Sequence, residues 1–209
     1  MEKITTMIES KAIAEIEQEI EVLLSYDFCA MSLNELKNIE KEIQNLLSIN
    51  YNLYKFDGAQ MTKTQRKTFD NIFFLITKKE NENDTVKIGD VFFSSWGYDQ
   101  TNVEMFKVVG FTKSGKSAEI KQIYTKTVKD SEGYMSDSVE ADLDGEFDKP
   151  KLRVKIERDM KFNPMTQKRE PIGEIQLRGS VYIGIGENKH LQTLSRLKKG
   201  SSTYRSWYA

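Results

Sequence analysis

The apolar period of this chain changes once, and that change limits what it can fold into more than any other feature. Before Lys78–Thr85 (KKENENDT) apolar residues recur about every fourth position; after it they alternate or run together in short β-branched and aromatic stretches. A period near 3.6 buries one stripe of a helix, and a period of two buries one face of a strand. The chain therefore reads as a helical region over 1–80 followed by an antiparallel β domain over 86–209, with the polar stretch as the boundary.

In the helical region Ile4, Ile8, Ala12, Ile16 and Ile20 form one stripe, widened by Met7, Leu23 and Leu24. Glu9, Glu15, Glu17, Glu19 and Glu21 cover the opposite face. A second helix opens with the capping box Ser32-Leu-Asn-Glu35 and carries Leu33, Leu36, Ile39, Ile43, Leu46 and Leu47. The turn between them predicts an antiparallel helical hairpin. A third helix is expected from Thr62 to about Thr77, where Phe69, Ile72, Phe73 and Ile76 share a face; the run Ile72–Ile76 also fits a buried strand. In the β half, strands are expected over 86–94, 103–112, 117–128, 151–158, 172–177 and 181–185. The expected fold class is α+β: an N-terminal helical hairpin of two to three helices, then a small antiparallel β-sheet or SH3-like barrel. At 209 residues the chain buries a core without staples.

The net charge of −1 conceals four blocks: −5 over 1–85, +3 over 86–129, −8 over 130–148 and +9 over 149–209. Blocks of one sign mark interaction surfaces or solvated faces. The −8 block contains no basic residue and reads as an acidic loop.

Several chemistries are excluded by counting. One cysteine, Cys29, allows neither an internal disulfide nor a four-thiolate zinc site, and one histidine, His190, rules out metal sites needing two imidazoles. No apolar run approaches the ~20 residues that span a bilayer, and the start Met-Glu-Lys-Ile has no apolar signal core, so the expectation is a cytoplasmic protein without membrane partners. Gly110–Ser117 (GFTKSGKS) matches the phosphate-binding G-x-x-x-x-G-K-[ST] pattern, but a strand-like stretch follows it where a helix is needed. It reads as a hairpin turn with Gly115 at positive φ. Glu140–Gly145 imitates half of a calcium loop, yet the twelfth position is Lys151 rather than a bidentate glutamate. Ser94, Asp99 and His190 are the faint nucleophile–base grouping, and no spacing demands that they meet. The expectation is a protein that is not an enzyme, with no cofactor and no metal.

One stretch stands apart. Gly89–Val103 (GDVFFSSWGYDQTNV) places Trp96, Tyr98 and four hydrogen-bonding side chains between two strands. It reads either as a structured turn or as a binding surface. The stretch resembles a family of small proteins from bacteriophages and mobile elements, and the tail Gly200–Ala209 (GSSTYRSWYA) is similar to the same family's ending. The resemblance covers roughly 86–127 and 199–209. It implies a mobile-element accessory protein of a bacterial host cell and carries no catalytic residue with it. Proteins of that origin often block host immunity, anti-CRISPR inhibitors among them. The expectation is thus a non-catalytic inhibitor of a host defence nuclease, acting on the nuclease, its guide RNA or its nucleic-acid channel; the alternative is a general single-stranded RNA- or DNA-binding module. The contact candidates are Lys151, Arg153, Lys155 and Arg158 on the alternating strand, then Arg196, Lys198, Lys199 and Arg205. Trp96, Tyr98, Tyr204 and Trp207 are the stacking or anchoring rings.

Overall fold

The computed structural model describes residues 15–54, 62–183 and 188–207, with the side chains of 48–54 excepted. The first part of the expected N-terminal stripe, Ile4 to Ala12, lies outside them. Three helices come first: α1 (residues 15–24), α2 (Leu33–Tyr54) and α3 (Lys63–Asn81). Ten strands follow: β1 (Val91–Trp96), β2 (Asn102–Phe111), β3 (Ser117–Thr127), β4 (Ser136–Glu146), β5 (Leu152–Arg158), β6 (Lys161–Asn163), β7 (Lys168–Glu170), β8 (Ile175–Tyr182), β9 (Lys189–Leu197) and β10 (Thr203–Ser206).

The chain forms two compact units, Met1–Asn83 with Met160–Gly173, and Asp84–Asp159 with Glu174–Ala209. The small hairpin β6–β7 thus interrupts the sequence of the β domain and groups with the helices, where β6 lies against α3. Both capping boxes form: Ser32 and Glu35 exchange backbone and side-chain bonds at α2, and Thr62 and Gln65 do so at α3. Leu23, Phe28, Leu36, Ile39, Ile43, Phe69, Ile72 and Ile76 make one core. The stretch Ile72–Ile76 is helical. Phe74 is buried there while Phe73 is partly exposed and meets Phe69 edge-on at 5.0 Å. No described helix is long and apolar enough to cross a membrane.

In the second unit six strands close on themselves in the order β1-β2-β3-β5-β8-β9, all antiparallel. Closure removes the sheet edges that an open sheet would expose. Residues 175–182 form one continuous strand where two short ones were expected, and β9 is an unpredicted strand that completes the ring. Phe92, Phe106, Val108, Ile120, Leu152, Val154, Leu177, Val181 and Leu194 fill the interior.

Strand β3 is longer than its partner β5, and this sets the rest of the architecture. Its first half, Ser117–Ile120, pairs with β5; its second half, Ile123–Thr127, pairs with β4. Strand β4 carries β10 on its far side, and β10 returns to meet Thr101 at the head of β2. This flap covers the outer face of β1, β2 and β3, where Val91, Val103, Met105, Ile123 and Val139 form a second core. Strand β1 is buried on both faces, which explains the unbroken run Val91-Phe92-Phe93.

The expected acidic loop at 130–148 is corrected by this arrangement: most of it is strand β4. Its acids find partners on neighbouring strands, Asp137 with Arg205, Glu140 with Lys126, and Glu146 with Lys107 and Lys121. The stretch that matched a phosphate loop is the β2–β3 hairpin, closed by Thr112 N–H to Ser117 C=O at 3.0 Å with Gly115 at φ 68°.

Candidate functional site

Alternation along three strands builds one end of the barrel. On β1 the inward positions are Phe92, Ser94 and Trp96; on β2 they are Phe106, Glu104 and Asn102; on β3 they are Ile120, Gln122 and Tyr124. The register puts Phe92 opposite Phe106, Ser94 opposite Glu104 and Trp96 opposite Asn102. Moving up from the apolar core, the lining becomes polar and then aromatic. The connection from β4 to β5 crosses this end, tied by Phe147 N–H to Gln122 C=O at 3.1 Å.

The result is a mouth of about 680 Å³ lined by Trp96, Asn102, Glu104, Gln122, Tyr124, Phe147 and Lys149, among others. That volume lies within the usual range for ligand sites. The Tyr124 and Phe147 rings are 4.0 Å apart at 38°. Lys149 donates to Gln122 Oε1 at 3.2 Å, and its Nζ lies 5.4 Å from the Phe147 ring and 4.8 Å from the Tyr182 ring. Lys189, opposite Tyr182 on β9, also brings its Nζ to 5.0 Å from the Tyr182 ring. The Trp96 indole N–H donates to the Glu104 carboxylate, which fixes the ring against the wall. The Asn102 Nδ2 is buried and has no hydrogen-bond partner.

Two close approaches hold the rim in shape. Strand β4 bulges between Ala141 and Glu146 opposite Tyr124. Gly145 lies there with so little room that a Cβ would come within 2.8 Å of the Tyr124 ring. On the other rim, Gly97 has φ 125° and any Cβ would strike the Gln100 carbonyl. Glycine is required at this turn on both counts.

Beyond Lys149 the chain enters β5, whose odd-numbered residues face the outside of the barrel. Lys149 is followed at two-residue intervals by Lys151, Arg153 and Lys155, with Lys155 directly opposite Arg178 of β8. Lys151, Arg153, Lys155 and Arg178 all lie exposed on the outward face. Lys151 stands 3.9 Å from Glu119 and Lys155 2.6 Å from Glu157, whose carboxyl it holds below the usual glutamate range.

The residues singled out by sequence do not form a single surface. Trp96 lines the mouth, and Tyr98 is fully exposed at the tip of the adjoining turn. Lys151, Arg153 and Lys155 form the outward row. Arg158, at the far end of the same strand, donates to the Asp84 carbonyl at 2.7 Å. Arg196 points inward at that far end, 2.5 Å from Asp84 and 3.3 Å from Asp90, with Phe92 beneath it. Lys198 and Lys199 are exposed just beyond, next to the start of β1. Arg205 forks onto the buried Asp137, whose carboxyl it holds below the usual aspartate range. Tyr204 and Trp207 are partly exposed on β10 and just beyond it. Strands in an antiparallel barrel run alternately up and down, so cations spread along 151–205 are dealt to both ends.

The two segments that carried the resemblance do meet. Thr101 and Ser206 exchange backbone bonds of 3.1 and 3.0 Å, and Ser206 Oγ also accepts from the Thr101 N–H. Of the faint catalytic grouping, Ser94 bonds Gln192 at 3.3 Å, His190 is exposed at the start of β9 and Asp99 is exposed in the turn; no hydrogen bond joins the three. Sequence reasoning missed Tyr124, Phe147 and Lys149, while Tyr182 stands out in the sequence as one of the rings within the basic C-terminal stretch. The even parity of Gln122 and Tyr124 with Ile120 on one strand could have found Tyr124; Phe147 and Lys149 lie on a connection and carry no such signal. Comparison with protein-family models, with curated proteins and with solved structures finds no match for the chain.

Proposed function

We propose that this protein is a non-catalytic binding module that receives a single-stranded nucleic-acid segment at the barrel mouth. The supporting observation is the joining of stacking rings to a row of cations. Trp96, Tyr124 and Phe147 line the mouth beside amide and carboxylate side chains, and Lys149 is followed along the chain by Lys151, Arg153 and Lys155, with Arg178 opposite Lys155. Unpaired bases stack on such rings, and a basic track follows the phosphates. Successive outward residues on a strand stand about 6.6–6.8 Å apart, a spacing that suits an extended single strand.

With the mobile-element resemblance, the natural biological reading is a counter-defence inhibitor. It would occupy the exposed guide RNA of a host nuclease and so block target entry. The test is titration of the full chain with labelled ten-nucleotide RNA and DNA over a range of salt. Saturable binding that weakens with salt in proportion to the phosphates neutralised supports the proposal. Absence of binding at low salt overturns it. Pull-down from a host with sequencing of the bound RNA then decides between a guide RNA and general single-stranded binding.

A further inference from the structure

Tyr182, the last residue of β8, carries an ammonium group from each of two other elements. Lys149, on the connection between β4 and β5, brings its Nζ to 4.8 Å from the ring centroid. Lys189, its partner across the β8–β9 ladder, brings its Nζ to 5.0 Å. Both are cation–π distances, so one ring gathers two like charges, and the two distances together bound their separation. Like charges held close repel unless an anion lies between them. Elsewhere in this barrel the chain supplies that anion itself: Glu146 lies between Lys107 at 3.0 Å and Lys121 at 2.7 Å. At Tyr182 it does not. Among the described residues neither Lys149 nor Lys189 has a carboxylate within ion-pair distance. Lys149 gives one of its three protons to the neutral Gln122 amide, and Lys189 donates to no described acceptor, so donors remain on both. Lys189 is exposed and Lys149 and Tyr182 are half-buried, so a small anion reaches the pair from solvent.

We infer that Lys149 and Lys189 form a phosphate-binding site beside the Tyr182 ring, one phosphate group taking the place that Glu146 fills between Lys107 and Lys121. A phosphate has enough acceptor oxygens for both lysines, and each ammonium is a compact charge on a flexible stem that turns from the ring to a group next to it. Lys149 also lines the mouth, so the site borders it. The phosphate has two possible sources: a strand whose base occupies the mouth, or a free polyphosphate. The site stands on the two ammonium groups and does not require the single-strand function.

The experiment is phosphorus NMR of pyrophosphate titrated with the full chain at low salt. It uses the native protein, Lys149→Gln, Lys189→Gln and the double variant, with Lys198→Gln at the other end of β9 as the charge-matched control. Circular dichroism melts establish that each is folded. The native chain is expected to bind saturably. Each of the first two variants is expected to bind about tenfold more weakly, the scale of one hydrogen bond to a charged group. Because both lysines hold one group, the double variant is expected to lose less than the product of the two single losses. No saturable binding, losses that multiply fully, or an equal loss in Lys198→Gln overturns the site. Should Lys149→Gln not fold, the exposed Lys189 decides alone, by its loss against that of Lys198→Gln. Titration of a ten-nucleotide DNA with the same variants then names the source. Weakening by Lys189→Gln assigns the phosphate to the strand, and unchanged affinity assigns it to a free polyphosphate. Pyrophosphate binding as expected with no binding of the oligonucleotide supports the site and overturns the single-strand function.

Discussion

Tyr124 is the residue through which the packing of the mouth and the proposed recognition are most tightly joined. Its ring is held on one side by Phe147 and on the other by the space that Gly145 leaves open. Tyr124→Ala should weaken oligonucleotide binding by about 1–3 kcal/mol, the usual value of one base stack. Gly145→Ala should weaken it comparably, because the added methyl displaces the same ring; parallel titrations of the two variants check this. Asp137 poses a different question at the same scale. Arg205 holds its carboxyl below the usual aspartate range, so the folded chain takes up that proton less readily than the unfolded chain. The stabilisation is therefore complete above about pH 4 and declines as pH falls through the lowered value. Arg205→Met leaves a buried carboxylate without its fork and should cost about 2 kcal/mol at neutral pH. It should also flatten the acid limb of stability, measured by urea melts between neutral and acid pH.

The elements show which parts of the fold were legible beforehand. Helices α2 and α3 could be read because capping boxes and i, i+4 stripes are local signals, and β5 because its alternation is clean. Strand β4 was hidden by composition. SDSVEADLDGE contains many acids, and only Val139 and Ala141 turn toward the second core; it is a strand because β3, β10 and their cations accept it. Strand β9 was hidden because Lys189-His-Leu-Gln-Thr has no clear period, and its place is set by closing the ring. The mouth was legible only at the turn from Trp96 to Asn102. Tyr124, Phe147 and Lys149 come from a strand end and a crossing connection that register alone brings to it. Strand β10 also has a role that its four residues do not suggest, since it pins the Trp96–Asn102 turn through Thr101. A chain ending after Lys199 should keep its closed barrel, while the Thr101 amide loses protection. Hydrogen exchange of that amide reads the difference.

For the whole molecule, the charge blocks acquire separate roles. Strand β4 is neutralised in part by its neighbours, whereas the row on β5 and β8 faces outward, where the proposed function puts the phosphates. Replacing Lys151, Arg153 and Lys155 together with Glu should lower affinity for every oligonucleotide alike. It should also reduce the slope of log affinity against log salt by about 2–3, because about three fewer phosphates are neutralised. A change confined to one base type would place these side chains in recognition rather than in the track. The central claim, that a single strand enters the aromatic mouth, is tested most directly with Trp207→Phe, which leaves Trp96 as the sole tryptophan. Titration of that protein with oligo(dT) should quench Trp96 emission saturably, and the quench should reverse as salt is added. Binding seen by anisotropy with no change in Trp96 emission would place the nucleic acid elsewhere on the molecule and contradict the account.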